Sequence, residues 1–156
     1  MTSVRNGCYA IGIFKSKSFD IPIISVGNLA VGGSGKTPMV EYLIRNLQDE
    51  YTIATLSRGY GRKTKGFRWV ETNNSFKETG DEPLQIKTKF EHIAVAVSED
   101  RVAGVKQILA ERPEINLILL DDAFQHRAIK PSVQLLLSTC SKPFYKDWLM
   151  PSGRLR

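Results

Sequence analysis

The sequence is poor in residues that cross-link or ligate. Its two cysteines, Cys8 and Cys140, form no CxxC pair and have no histidine at ligand spacing. Neither a disulfide framework nor a zinc site is expected, and a reducing cytosol suits such a chain. Apolar runs such as Leu117 to Leu120 and the mostly apolar Val133 to Leu137 fall far short of the roughly 20 residues that a membrane-crossing helix needs. A secretory h-region is also missing, because Cys8 to Phe14 is broken by Gly12 and followed by Lys15 and Lys17. There is no internal repeat, low-complexity tract or domain linker. At 156 residues one α/β domain with a single sizeable core is expected. The Asn-Lys-x-Asp signature of guanine recognition does not occur either.

What the chain does have is positive charge: 22 Lys and Arg against 16 Asp and Glu, a net +6. That balance suits an anionic partner, whether nucleotide, phospholipid surface or nucleic acid; the plain reading is that the cations solvate exposed faces. Five of them, Arg58, Arg62, Lys63, Lys65 and Arg68, gather just after a predicted strand end. In a parallel sheet that places them beside any bound phosphate.

Short β-branched runs alternate with helix-length amphipathic stretches, the pattern of repeated βαβ units. Strands are expected at Pro22 to Val26, Thr52 to Leu56, His92 to Val97, Asn116 to Leu120 and Val133 to Leu137. Helices fit Thr37 to Asp49, Asp81 to Lys89 and Glu99 to Glu111; in the first, Val40, Leu43, Ile44 and Leu47 share one face. The expected fold is therefore α/β, a P-loop NTPase-like and mostly parallel sheet flanked by helices. The polar stretch Gly59 to Thr79 reads as a small excursion after the second strand, with one extra strand at Phe67 to Glu71.

Val31-Gly32-Gly33-Ser34-Gly35-Lys36-Thr37 lies between the first strand and the first helix. Glycines there let backbone N–H groups cradle phosphates, a lysine reaches the β- and γ-phosphates, and a threonine hydroxyl meets Mg²⁺. The helix N-terminus adds its positive end to the same anion. Ala30 replaces the usual first glycine, at the mouth of the loop, and Val31 replaces the extra lysine of partition-type ATPases.

Two acidic elements follow. Asp121 and Asp122 end the apolar run Leu117-Ile118-Leu119-Leu120, where the ligands of parallel sheets bind, and either can approach a metal there; alternatively they cap a turn. Gly80-Asp81-Glu82-Pro83 opens a helix, either as an N-cap with favourable dipole charge or as a general base beside a metal ligand. Ser57-Arg58-Gly59-Tyr60-Gly61 is either a turn or a phosphate-facing loop using Arg58, and His126 is a nucleotide or acceptor contact or an ordinary loop histidine.

In this order, together with Val26-Gly27-Asn28-Leu29, Asp121-Asp122-Ala123-Phe124-Gln125-His126 and Pro151-Ser152-Gly153-Arg154-Leu155-Arg156, these motifs resemble the tetraacyldisaccharide 4'-kinases of bacterial lipid A synthesis, from about Arg5 to Arg156. The resemblance implies transfer of the ATP γ-phosphate to the 4'-hydroxyl of tetraacyldisaccharide 1-phosphate, forming lipid IVA at the cytoplasmic face of the inner membrane. It implies peripheral contact with a membrane surface and no nucleic-acid partner. It assigns Asp81, Lys36 and Asp122 to catalysis, with Asp81 as base. Gly32, Gly33, Ser34, Gly35, Lys36, Thr37, Arg58 and His126 go to the nucleotide, and Thr37, Glu82 and Asp121 to Mg²⁺. It also makes residues 1–20 the tail of a membrane-proximal segment and 21–156 the nucleotide-binding domain. The family's second lobe and its partner histidine then lie outside this sequence, so MgATP binding with poor transfer is expected. A P-loop regulatory or metal-insertion NTPase and a non-catalytic nucleotide binder are the alternatives from other classes.

Overall fold

The computed structural model describes residues 16–28, 35–122 and 128–139. Their elements, in chain order, are β1 (Ile23–Asn28), α1 (Lys36–Leu47), β2 (Ile53–Ser57), β3 (Arg68–Trp69), α2 (Phe76–Thr79), α3 (Asp81–Lys89), β4 (Ala94–Val97), α4 (Arg101–Glu111), β5 (Leu117–Asp121) and β6 (Val133–Leu137). The strands form one six-stranded sheet in the order β3-β4-β2-β5-β1-β6. Every pairing is parallel except that of β3 with β4, the short antiparallel edge supplied by the excursion.

Alternation along the strands sorts side chains to two faces. Ile23, Ala54, Leu56, Ala94, Ala96, Ile118 and Leu120 pack with Val105 and Ile108 of α4 on one side. Val26, Ile53, Val95, Val97, Leu117 and Leu119 pack with Val40 and Ile44 of α1 and Ile86 of α3 on the other. Helices on both faces explain why β2, β4 and β5 are buried throughout and read as apolar runs. Each fully buried Leu or Ile contributes about 1.5–3 kcal/mol. Between α1 and α3 the buried Glu41 accepts from Lys89 at 2.6 Å, Arg45 at 3.2 Å and Gln85 at 3.2 Å, so a charge is carried inside that layer by three donors.

The expected fold class holds, and β6 and α3 have the expected bounds. β1, β2 and β5 run one or two residues further at their carboxyl ends, onto Asn28, Ser57 and Asp121, because the ladder continues past the last apolar residue. β4 starts later than expected: the Ile93 N–H is used in a turn, donating to the Phe90 carbonyl at 3.0 Å. α4 starts at Arg101 rather than Glu99, since Asp100 is the cap and accepts from the Ala103 N–H at 3.0 Å. α2 was not expected, although its capping box, Ser75 with Glu78, was written in the sequence.

Candidate functional site

The site is built where β1 and β5 end side by side. Their parallel register pairs Val26 with Asp121, so Asn28 and the Asp121-Asp122 pair emerge on the same edge. α1 begins at Lys36 after Gly35, which stands at φ 79° as a left-handed N-cap with no side-chain cap. With no side-chain cap among the described residues, the first turn of α1 is of the kind whose N–H groups attract an anion. The Lys36 ammonium donates to Asn28 Oδ1 at 3.2 Å and pairs with Asp122 Oδ1 at 3.4 Å. Asp122 is the non-glycine residue with positive φ among the described residues, at 49°, a conformation that short polar side chains tolerate. Thr37, half-buried, follows Lys36 on the first turn.

Asp121 is only 1% exposed, and its Oδ1 has no partner among the described residues. Burial pushes its carboxyl up to about 6; Glu82 and Asp122 push the same way, and Lys36 opposes them. A buried carboxylate with one unpartnered oxygen and a second carboxylate in its field is a good fit for a hard divalent cation. Among the described residues no three His, Cys, Asp or Glu side chains are grouped to hold a metal ion by themselves.

Glu82 reaches this neighbourhood because two loops touch. Gly59 (φ 68°) and Gly80 (φ 91°) press backbone to backbone: a Cβ on Gly59 would lie 2.6 Å from the Thr79 carbonyl oxygen, and one on Gly80 would lie 2.9 Å from that of Tyr60. This contact fixes the start of α3. Its N-cap is Gly80, so Asp81 is the first helical residue and not the cap, which corrects one of the two sequence readings of Asp81. Asp81 and Glu82 are both exposed there. Arg58 lines a neighbouring bowl of about 660 Å³ with Gly59 to Lys65 and Glu99. Lys36 thus pairs with Asp122 beside the buried Asp121, Glu82 lies within electrostatic reach of Asp121, Asp81 precedes Glu82 on the first turn of α3, and Arg58 stands to one side. Gly32, Gly33, Ser34 and His126 lie outside the described residues.

One residue escaped the sequence reading. Arg101 opens α4, is 1% exposed, and donates to the carbonyl oxygens of Ser98 and Asp121. Burial pushes its guanidinium down to about 10, while Asp121 and Asp122 hold it up. A cation at the positive end of a helix is unfavourable, and that misfit was the available signal. In place it ties the ends of β4 and β5 together under the acidic pair.

The model for the family described as tetraacyldisaccharide-1-P 4'-kinase matches residues 1–156. The chain belongs to this family. Similar relatives include the tetraacyldisaccharide 4'-kinases of Bacteroides fragilis, 50% identical over 99% of this chain and 41% of the relative, and of Flavobacterium johnsoniae, 47% identical over 100% of this chain and 46% of the relative. A crystal structure of the family's LpxK from Aquifex aeolicus, described as an "apo" form in complex with ATP, superposes with a TM-score of 0.88 at 42% identity, over 99% of this chain and 49% of that one. This member of the 4'-kinase family therefore spans about half the length of the relatives it matches.

Proposed function

We propose that this chain forms the nucleotide-binding part of an ATP-dependent tetraacyldisaccharide 4'-kinase. The observation that carries the reading is the Lys36–Asp122 pair beside the buried Asp121, with Glu82 within electrostatic reach, at the N-terminus of α1. In this reading residues 21–156 are the nucleotide domain, 1–20 adjoin the membrane, and the acceptor is tetraacyldisaccharide 1-phosphate at the cytoplasmic face.

The Gly32-Gly33-Ser34-Gly35 backbone and Lys36 hold the triphosphate, with Lys36 released from Asp122 to the β- and γ-oxygens. Thr37, Asp121 and Glu82 would hold Mg²⁺, which would supply charge neutralisation on the phosphates. Arg58 and His126 complete the nucleotide contacts, and Asp122 orients Lys36. Asp81 takes the proton of the 4'-hydroxyl as its oxygen bonds to the γ-phosphorus and the bond from phosphorus to the bridging oxygen breaks, leaving ADP. Positioning and electrostatics supply most of the acceleration in such transfers.

The test grafts this sequence in place of the matching residues of the Bacteroides fragilis relative and follows labelled γ-phosphate onto acceptor in detergent micelles. Transfer is expected, and Asp81→Asn should lower turnover by about 10²-fold or more with nucleotide affinity intact. Hydrolysis without transfer would overturn the kinase reading. Normal turnover in Asp81→Asn would remove Asp81 as base.

A further inference from the structure

We infer that the excursion between β2 and α3 is the surface on which this chain rests against an anionic phospholipid bilayer. The inference deepens the proposed function and rests on it for its purpose, since an acceptor with four acyl chains has to be met at a lipid surface. Its physical basis is separate.

Within the excursion the cations outnumber the carboxylates that could neutralise them. Arg62 pairs with Glu99 at 2.7 Å and Arg68 with Glu78 at 2.9 Å. Lys63 and Lys65 are exposed and have no ion pair among the described residues. Lys77 belongs to the same patch, because the Lys63 N–H donates to its carbonyl at 2.7 Å. Aromatic rings are set among these charges. Tyr60 is 89% exposed and Phe76 54% exposed, with the Lys77 ammonium 5.9 Å from the Phe76 ring. Exposed aromatics interleaved with lysines match the headgroup zone of a bilayer, where rings meet the apolar boundary and ammonium groups meet lipid phosphates.

The patch is also preformed. The Arg62 side chain is 2% exposed and donates to the Gly66 carbonyl at 2.6 Å and to Thr64 Oγ1 at 3.4 Å. Glu99 Oε2 accepts from the Gly66 N–H at 2.9 Å, and the Thr64 hydroxyl donates to the Glu78 carbonyl at 2.5 Å. A loop stapled from within presents its outer lysines without an ordering cost on binding. The same loop holds Gly59 against Gly80, one residue before Asp81. Contact with a bilayer here sets the height of the proposed base above the lipid surface.

The experiment is co-sedimentation of the chain with vesicles of phosphatidylcholine alone or mixed with phosphatidylglycerol. Two double variants of equal charge change are compared: Lys63→Glu/Lys65→Glu in the patch, and Lys106→Glu/Lys130→Glu away from it. Affinity for anionic vesicles is expected to exceed that for neutral ones, to fall with salt, and to drop at least about 30-fold in the patch variant, from roughly 1 kcal/mol per lysine near the surface. Phe76→Ser should cost a further factor of about ten. Unchanged MgADP affinity shows that the variants are folded. Equal loss in both double variants, or equal binding to neutral vesicles, would overturn the assignment. So would a patch variant that loses a labelled oligonucleotide but keeps vesicles. Loss of vesicle binding with micellar phosphoryl transfer retained supports the surface; vesicle binding without transfer in the grafted relative would sink the kinase reading alone.

Discussion

The crossovers that leave the sheet after β1 and after β2 use glycine in opposite ways. Gly35, ahead of α1, has no described atom within 4 Å of where a Cβ would stand, as is also true of Gly61 and Gly66, whereas Gly59 and Gly80, around the excursion, would each place a Cβ 2.6–2.9 Å from a backbone oxygen. All five have positive φ. In the proposed reading Gly35 leaves room for a phosphate; Gly59 and Gly80 remove space so that two loops can meet. A cradle and a clamp therefore look alike in sequence, and only the surroundings of the missing side chain separate them.

The most direct way to break this comparison is at the cradle. Lys36→Ala should weaken triphosphate binding by about 10–10²-fold, the scale of losing one hydrogen bond to a charged group, about 1.5–3 kcal/mol. Calorimetry with MgATP measures it, and unchanged affinity would show that the open space beside α1 is not a phosphate site.

A second prediction concerns the carboxylate between the two loops. The folded Asp121 carboxyl, raised to about 6 from 3.8, keeps its proton to higher pH than in the unfolded chain. The stability associated with that proton is complete below pH 3.8 and lost as pH rises through about 6. In EDTA, Asp121→Asn should therefore be more stable than the parent by up to about 3 kcal/mol at pH 8 and converge with it below pH 4. Denaturant unfolding at both pH values checks this. A difference that does not vary with pH would mean that Asp121 is not held ionised at a cost.

The clamp and the cradle can then be compared directly. Gly59→Ala should destabilise the chain by about 2–3 kcal/mol, combining positive φ with a backbone clash. Gly35→Ala should cost about 1 kcal/mol, the conformational part alone, while reducing nucleotide affinity. Equal stability losses in the two variants would erase the distinction between them.

Much of the fold was legible because it is written in local periodicity. α1 shows its apolar stripe, β5 its continuous run, and Gly35-Lys36-Thr37 its place between strand and helix. The strand ends were less legible, since Asn28, Ser57 and Asp121 are polar yet stay in the ladder through their neighbours. Arg101 was missed because a buried cation is justified only by the carbonyls it meets, Ser98 and Asp121, one of them on another strand.

By itself the sequence determined the main strands and helices other than α2, that a glycine-rich loop lies between β1 and α1, and that Asp121 ends a strand, because these follow from spacing along one stretch of chain. Only the tertiary structure decided that β5 lies beside β1, that Gly59 presses on Gly80, and that Asp121 is sealed from water while Asp122 is left half-exposed against Lys36. Those outcomes depend on packing between residues far apart in sequence, and burial, which sets the charge chemistry of the site, exists only once that packing is made.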